Sequence, residues 1–147
     1  MPYSIKAAAA RCGLSEYTLR YYDKAGLLPF VARDASGYRA FTDGDMALLH
    51  TIICLKNTGM RIDDIRTYIQ YVMAGSSTVA ERRALLQKHR EAVAAKQRAI
   101  AENLKEIDYK LALYEDPQAA QLVARELAAA SQDKQAANLP DAFAGIH

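Results

Sequence analysis

The sequence predicts a mostly α-helical protein: a small amino-terminal helical domain with a β-hairpin, followed by a long helix that needs a partner. Three observations carry this expectation. Hydrophobic residues make up 51% and charged residues 24% of 147 residues, a globular balance, while the absence of Trp and the few Pro (4) and Gly (7) argue against a β-sandwich. Two short amino-terminal segments each open on a Ser and close on a Gly. Val79, Leu86, Val93, Ile100, Ile107 and Tyr114 recur at intervals of seven.

The first two helices follow from their punctuation. Ser4 caps a helix from Ile5 to Arg11, Gly13 supplies a left-handed exit, Ser15 caps a second helix from Glu16 to Ala25, and Gly26 closes it. Ile5, Ala8, Leu14, Leu19 and Leu27 are spaced to meet between the two helices. Two short helices joined by a Gly-containing turn form the helix-turn-helix pattern, and a generic αα-hairpin fits the same spacing. Residues 30–33 and 38–41 are β-capable stretches around Asp34-Ala35-Ser36-Gly37, so a small hairpin is expected, with Arg33 and Arg39 beside its tip. A hairpin of this size must lean on the helices before it.

Two further helices complete the first domain. Thr42 and Asp45 have capping-box spacing, and Met46, Leu49, Ile52 and Ile53 form an apolar face that ends near Gly59. Ile62, Ile65, Ile69 and Val72 mark the next helix, which stops before the linker-like Gly75-Ser76-Ser77. The domain expectation is therefore 1–75, then 76–115 for linker and long helix, then 116–147 for a short helix (118–130) and a mobile tail. A helix over 79–114 would be ~54 Å long, too long to bury its stripe in one small domain. A second copy is the simplest partner, with a helix folded back on its own domain as the other possibility. The column four residues on reads Arg83, Arg90, Gln97, Leu104 and Leu111, so the first half of the seam packs against something other than an ideal coiled-coil mate.

Charge is uneven. Residues 1–41 hold six Lys or Arg against three acids, together with most of the nine tyrosines, whereas residues 76–147 hold ten of each sign. Basic and aromatic side chains together hint at nucleic acid, because Lys and Arg neutralise phosphates and Tyr offers a hydroxyl. A solvated face explains the surplus equally well. Two cysteines, Cys12 and Cys54, cannot form a disulfide scaffold, and no run reaches the ~18–20 apolar residues of a membrane span. With no signal-peptide pattern at Met1-Pro2-Tyr3, the expected location is a reducing cytoplasm. No Ser/His/Asp or paired-carboxylate constellation falls in a pocket-forming segment, so an enzyme is the reading the sequence favours least.

Thr18-Leu19-Arg20-Tyr21-Tyr22-Asp23, Gly26-Leu27-Leu28, Arg33, Gly37-Tyr38-Arg39, and Leu55-Lys56 before Asn57-Thr58-Gly59-Met60 stand in order at family spacing. Over residues 3–72 the chain thereby resembles the MerR family of bacterial transcription regulators. The resemblance implies a winged helix-turn-helix DNA-binding domain with a small β-hairpin wing, a two-helix extension, and a long antiparallel coiled-coil dimerisation helix. It also implies a homodimer on double-stranded promoter DNA, seated on a pseudo-palindromic spacer that it bends and untwists for RNA polymerase. Residue by residue it makes Arg20 the family's helix arginine and Tyr21 and Tyr22 its DNA-facing tyrosines, although Tyr22 also reads as core. Tyr17 and Thr18 fall at the exposed start of the recognition helix, Arg33, Tyr38 and Arg39 on the wing. Lys56 falls at a phosphate-binding position that also reads as plain surface charge. Phe41 departs from the usual wing Tyr, and Arg61 from the usual capping residue.

The signal is narrowed by what is missing. Residues 76–147 contain no Cys and only two His, too few for thiolate metal sites or an iron–sulfur cluster, so no metal or cofactor is expected. The ~30 residues after Tyr114 are too few for a large ligand-binding domain. Cys54 and the residues after it resemble the branch of the family that answers reactive aldehydes and other electrophiles through a single Cys. A thiolate is the nucleophile, and His50 and Lys56 nearby would favour it, whereas the carboxyl end of the helix would not. A lone Cys also serves as a small buried hydrophobe, the role expected for Cys12. A DNA-bending architectural protein that senses nothing, or a coiled-coil adaptor for proteins, are the alternatives.

Overall fold

A computed structural model describes residues 1–147, with the order α1 (Ile5–Arg11), α2 (Glu16–Lys24), β1 (Ala32–Arg33), β2 (Arg39–Ala40), α3 (Asp43–Asn57), α4 (Ile62–Met73), α5 (Val79–Glu115) and α6 (Ala119–Ala136). The chain forms two compact units, Met1–Ala95 and Lys96–His147.

In the first unit the expected caps form. The Ser4 and Ser15 hydroxyls accept the backbone N–H groups of Ala7 at 3.1 Å and Thr18 at 3.0 Å. Thr42 and Asp45 make a reciprocal capping box at 3.2 and 2.9 Å, satisfying two donors that the helix start leaves free. Arg61 precedes α4 without a side-chain cap, as its side chain can only donate. β1 and β2 pair antiparallel over two residues each, shorter than expected. Tyr3 adds an isolated bridge to Phe41, so the amino terminus holds the base of the hairpin. The core joins Ile5, Ala8 and Ala9 of α1, Leu19 and Tyr22 of α2, Leu27, Leu28 and Phe41, and the inward faces of α3 and α4. Phe41 is fully buried, so its ring packs where a hydroxyl would not reach DNA.

α5 begins in this unit. Leu85 and Leu86 pack against the core, which explains the polar first half of the heptad seam: that stretch faces its own domain. Gly75-Ser76-Ser77 is not open linker but the entry to a tight 3-10 turn, Ser76–Thr78.

The second unit holds the remainder of α5, a turn at Asp116, where the carboxylate accepts the Gln118 N–H at 2.7 Å, and α6. Lys110 and Glu126 approach to 3.9 Å. The helix expected over 118–130 is longer than expected. α6 continues to Ala136, because an Ala-rich run has high helix propensity without any apolar period. Asn138, at φ 53°, ends it in the left-handed region, and Ser131 donates to the carboxylate of Asp141, fastening the following turn. Ile100, Leu104, Ile107, Leu111 and Tyr114 stay largely exposed along α5.

Candidate nucleic-acid interface

α2 has only nine residues, and Leu19 and Tyr22 at i, i+3 point it inward. The opposite face therefore presents Tyr17 (82% exposed), Arg20 and Tyr21 (50% exposed) to solvent, with Thr18 partly covered. Tyr22 is the exception among the expected DNA-facing residues. At 5% exposure its ring is core, and burial, with Tyr21 next to it, pushes its hydroxyl to a higher pKa. Its contribution is packing.

Arg20 donates to Glu16 at 2.8 Å, an exposed i, i+4 pair. Such pairs contribute ~0.3–0.5 kcal/mol, so the guanidinium is readily redirected to a stronger anion.

The wing is shaped by Asp34. Its carboxylate accepts the N–H groups of Ser36 at 2.9 Å and Tyr38 at 3.0 Å, an Asx-type turn. Gly37, at φ 83°, lets the chain reverse. Arg33 donates to the Gly37 carbonyl at 2.8 Å, and Tyr38 projects outward, 73% exposed. Arg39 behaves differently from Arg33: its guanidinium bonds the Asp23 carboxylate, and both side chains are about four-fifths covered.

The wing and α2 then meet around one recess of 320 Å³ lined by Ser4, Ile5, Arg20, Arg33, Gly37, Tyr38 and Arg39. Three guanidinium groups from separate elements converge there, with Asp23 and Glu16 as carboxylate partners and the Gly37 carbonyl as the partner of Arg33, a geometry suited to backbone phosphates, which Arg binds bidentately. The recess gathers four of the expected residues: Arg20, Arg33, Tyr38 and Arg39. Tyr17, Thr18 and Tyr21 extend the same helix outward. Lys56 is not part of the recess; it is exposed near the end of α3. Sequence reasoning missed Ser4 and Asp23. Asp23 left a signal, as one of three acids in an otherwise basic segment.

Cys54 has an exposed thiol on α3, with His50, also exposed, one turn before it. Thr58 donates to the Cys54 carbonyl at 2.8 Å and lies 2.7 Å from His89 Nε2 of α5. Cys12 is partly buried against the core, and that burial raises its thiol pKa, which lowers its reactivity. No group of three or more His, Cys, Asp or Glu is placed to hold a metal ion, and no helix is long and apolar enough to cross a membrane.

Two family profiles match the chain: "MerR HTH family regulatory protein" over residues 3–72 and "MerR, DNA binding" over residues 46–109. An uncharacterized HTH-type transcriptional regulator of Haemophilus influenzae is 41% identical over 119 residues, covering 81% of this chain and 88% of that protein. The crystal structure of HiNmlR, described as a MerR family regulator lacking the sensor domain and bound to promoter DNA, superposes with a TM-score of 0.74 at 41% identity, over 81% of this chain and 94% of that one. A MerR family transcriptional regulator of Bacillus thuringiensis gives a TM-score of 0.72 at 38% identity, over 76% and 98%.

Proposed function

Since the chain belongs to the MerR family of helix-turn-helix, DNA-binding transcriptional regulators, we propose that it acts as a homodimer that grips a pseudo-palindromic promoter spacer, distorts it for RNA polymerase, and answers reactive electrophiles through Cys54. The observation that carries the DNA part is the recess where Arg20, Arg33 and Arg39 converge beside exposed Tyr17, Tyr21 and Tyr38. Phosphate contacts from the wing and base-edge contacts from the start of α2 divide the labour of position and sequence. Contacts on the flanks offset the deformation of the centre, of order 1–6 kcal/mol for a bend of 40–90°.

Dimerisation is supported by the unpartnered stripe on α5. Side chains at 100, 104, 107, 111 and 114 are each about half exposed or more at three- and four-residue spacing, the pattern of a coiled-coil seam. Sensing is supported by the surface of α3, where His50 and the residue one turn after it are both exposed. Cys54 is the exposed thiol there; its sulfur would add to an electrophilic carbon, the thiol proton passing to solvent or to the resulting alkoxide.

The test is selection of bound duplexes from a random-sequence library, followed by transcription from a promoter carrying the selected site. Recovery of an inverted repeat bound by two copies, with transcription altered by formaldehyde, is the expected result. Recovery of no sequence preference would remove the regulatory reading.

A further inference from the structure

Two side chains, Arg82 and Thr78, hydrogen-bond across the joint between α4 and α5, and Arg82 makes the larger number of these bonds. α4 ends with no basic residue in its last turn, leaving the negative end of its dipole without a charge from within, while the Ala74 and Gly75 N–H groups bond the Gln70 and Val72 carbonyls. Arg82, one turn into α5, reaches back across the joint. Its Nη2 donates to the carbonyls of Gly75 at 2.6 Å, Tyr71 at 3.2 Å and Val72 at 3.4 Å, and its Nε donates to the Thr78 hydroxyl at 3.1 Å. The Thr78 hydroxyl is shared in turn with the carbonyls of Gly75 and Tyr71. Gly75 itself, at φ 88° with nothing within 4 Å of where a side chain would begin, offers no steric restraint. Without the guanidinium the joint keeps the Thr78 hydroxyl and the backbone bonds of Gly75 and Thr78.

Seven residues on, two turns along the same face, His89 meets Thr58 at 2.7 Å, with Leu85 and Leu86 on the core between. A helix pinned at two points ~10 Å apart has its direction fixed; pinned at one it pivots. From this geometry we infer that Arg82 is a positioning residue for DNA recognition: it fixes the angle at which α5 leaves the DNA-binding unit and thereby sets the separation of half-sites the dimer accepts. The inference rests on the dimeric DNA-binding reading above. It adds that half-site separation is read at a residue that touches no DNA.

The probe is the duplex selected by the wild-type chain from the random library, with derivatives carrying one or two base pairs inserted or removed at its centre, and a single half-site. Arg82→Met keeps the stem and removes the hydrogen bonds. Its affinity for a single half-site should stay within about two-fold of wild type, while its preference for the native separation over the altered ones falls at least five-fold. Thr78→Val, nearly isosteric and removing only the shared hydroxyl, should shift the preference in the same direction by a smaller factor. Should Arg82→Met not fold, the Thr78→Val profile decides alone. A wild-type separation profile in Thr78→Val and in any folded Arg82→Met protein overturns the inference while leaving the DNA-binding reading intact. A wild-type chain that ignores half-site separation overturns both.

Discussion

The guanidinium of Arg39 on the wing is bonded to the carboxylate of Asp23 on α2, so the hairpin and the exposed helix are held as one piece. An acid in a DNA-binding face ordinarily weakens affinity by repelling phosphate. Here it orients a wing that is only two residue pairs long and could not hold its position alone.

Replacing Asp23 by Ala should therefore weaken binding to the selected duplex by about five-fold, roughly 1 kcal/mol, although the change makes the face more positive. Fluorescence anisotropy with labelled duplex checks this. Tighter binding by Asp23→Ala would show that the pair only competes with phosphate.

Lys56 and Lys105 are both exposed, but Lys105 pairs with Glu102 at 2.8 Å on α5. Lys56→Ala should weaken binding uniformly across sequences and reduce the slope of log K against log salt by about 0.9, as for one lost phosphate contact. Lys105→Ala should change neither quantity. Equal losses for the two variants, in titrations at several salt concentrations, would contradict the placement of the DNA face.

What could be read from the sequence was whatever is decided within one or two turns. Ser4, Ser15 and the Thr42–Asp45 box are legible because a capping oxygen acts on an N–H three residues away. Gly13, Gly26, Gly37 and Gly59 are legible because each sits at positive φ. The inward turn of Tyr22 follows from Leu19 three residues before it, whereas the family pattern of two adjacent tyrosines does not distinguish the buried ring of Tyr22 from the exposed one of Tyr21. The Arg39–Asp23, Arg82–Gly75 and His89–Thr58 contacts depend on tertiary packing, and neither partner's type singles out the other. The extra length of α6 was hidden for a different reason: alanines favour helix strongly but leave no periodic trace.

Ile107 is 55% exposed on the stripe of α5. Ile107→Glu would place an unpaired charge in a buried seam, a cost of several kcal/mol, and should give monomers that retain the helix content of the first unit. Sedimentation equilibrium is the check; an intact dimer would remove the seam from this face.

Cys54→Ser preserves shape while removing the nucleophile. It should keep operator affinity within about three-fold and lose the transcriptional response to formaldehyde. Cys12→Ser should keep both, since Cys12 packs against the core. Coupling from Cys54 to α5 has a physical route through Thr58 and His89, and a coupling of 1–3 kcal/mol is typical between such sites. A full response by Cys54→Ser would leave the thiol without a sensing role.

The Asp141 carboxyl is held below its usual value of 3.8, chiefly by the Ser131 hydroxyl, then by the Phe143 N–H, Gln135 and the charge of Lys134. A depressed pKa in the folded state means that the docked turn is stabilised above pH 3.8 and that this stabilisation is lost as the pH falls through the lower, folded-state value. Amide hydrogen exchange at Phe143 should therefore be protected at pH 5 and lose protection as the pH falls below 3.8 through the depressed folded-state value, and Ser131→Ala should move the loss to higher pH. Protection indifferent to the Ser131 substitution would show that the turn is held by backbone alone.

The exposed stripe of α5 also bears on the life of the chain before it is paired. A lone copy presents Ile100, Leu104, Ile107, Leu111 and Tyr114 together on one helix, a contiguous apolar surface of the kind that chaperones and proteases engage. Under the dimer reading, newly made copies are vulnerable until they meet, and pairing is second order in their concentration. At low expression encounter is slow and turnover prevails; above a threshold, association outruns degradation. Steady-state abundance would then rise more steeply than synthesis, giving the regulator a switch-like response to its own expression rate before any inducer acts.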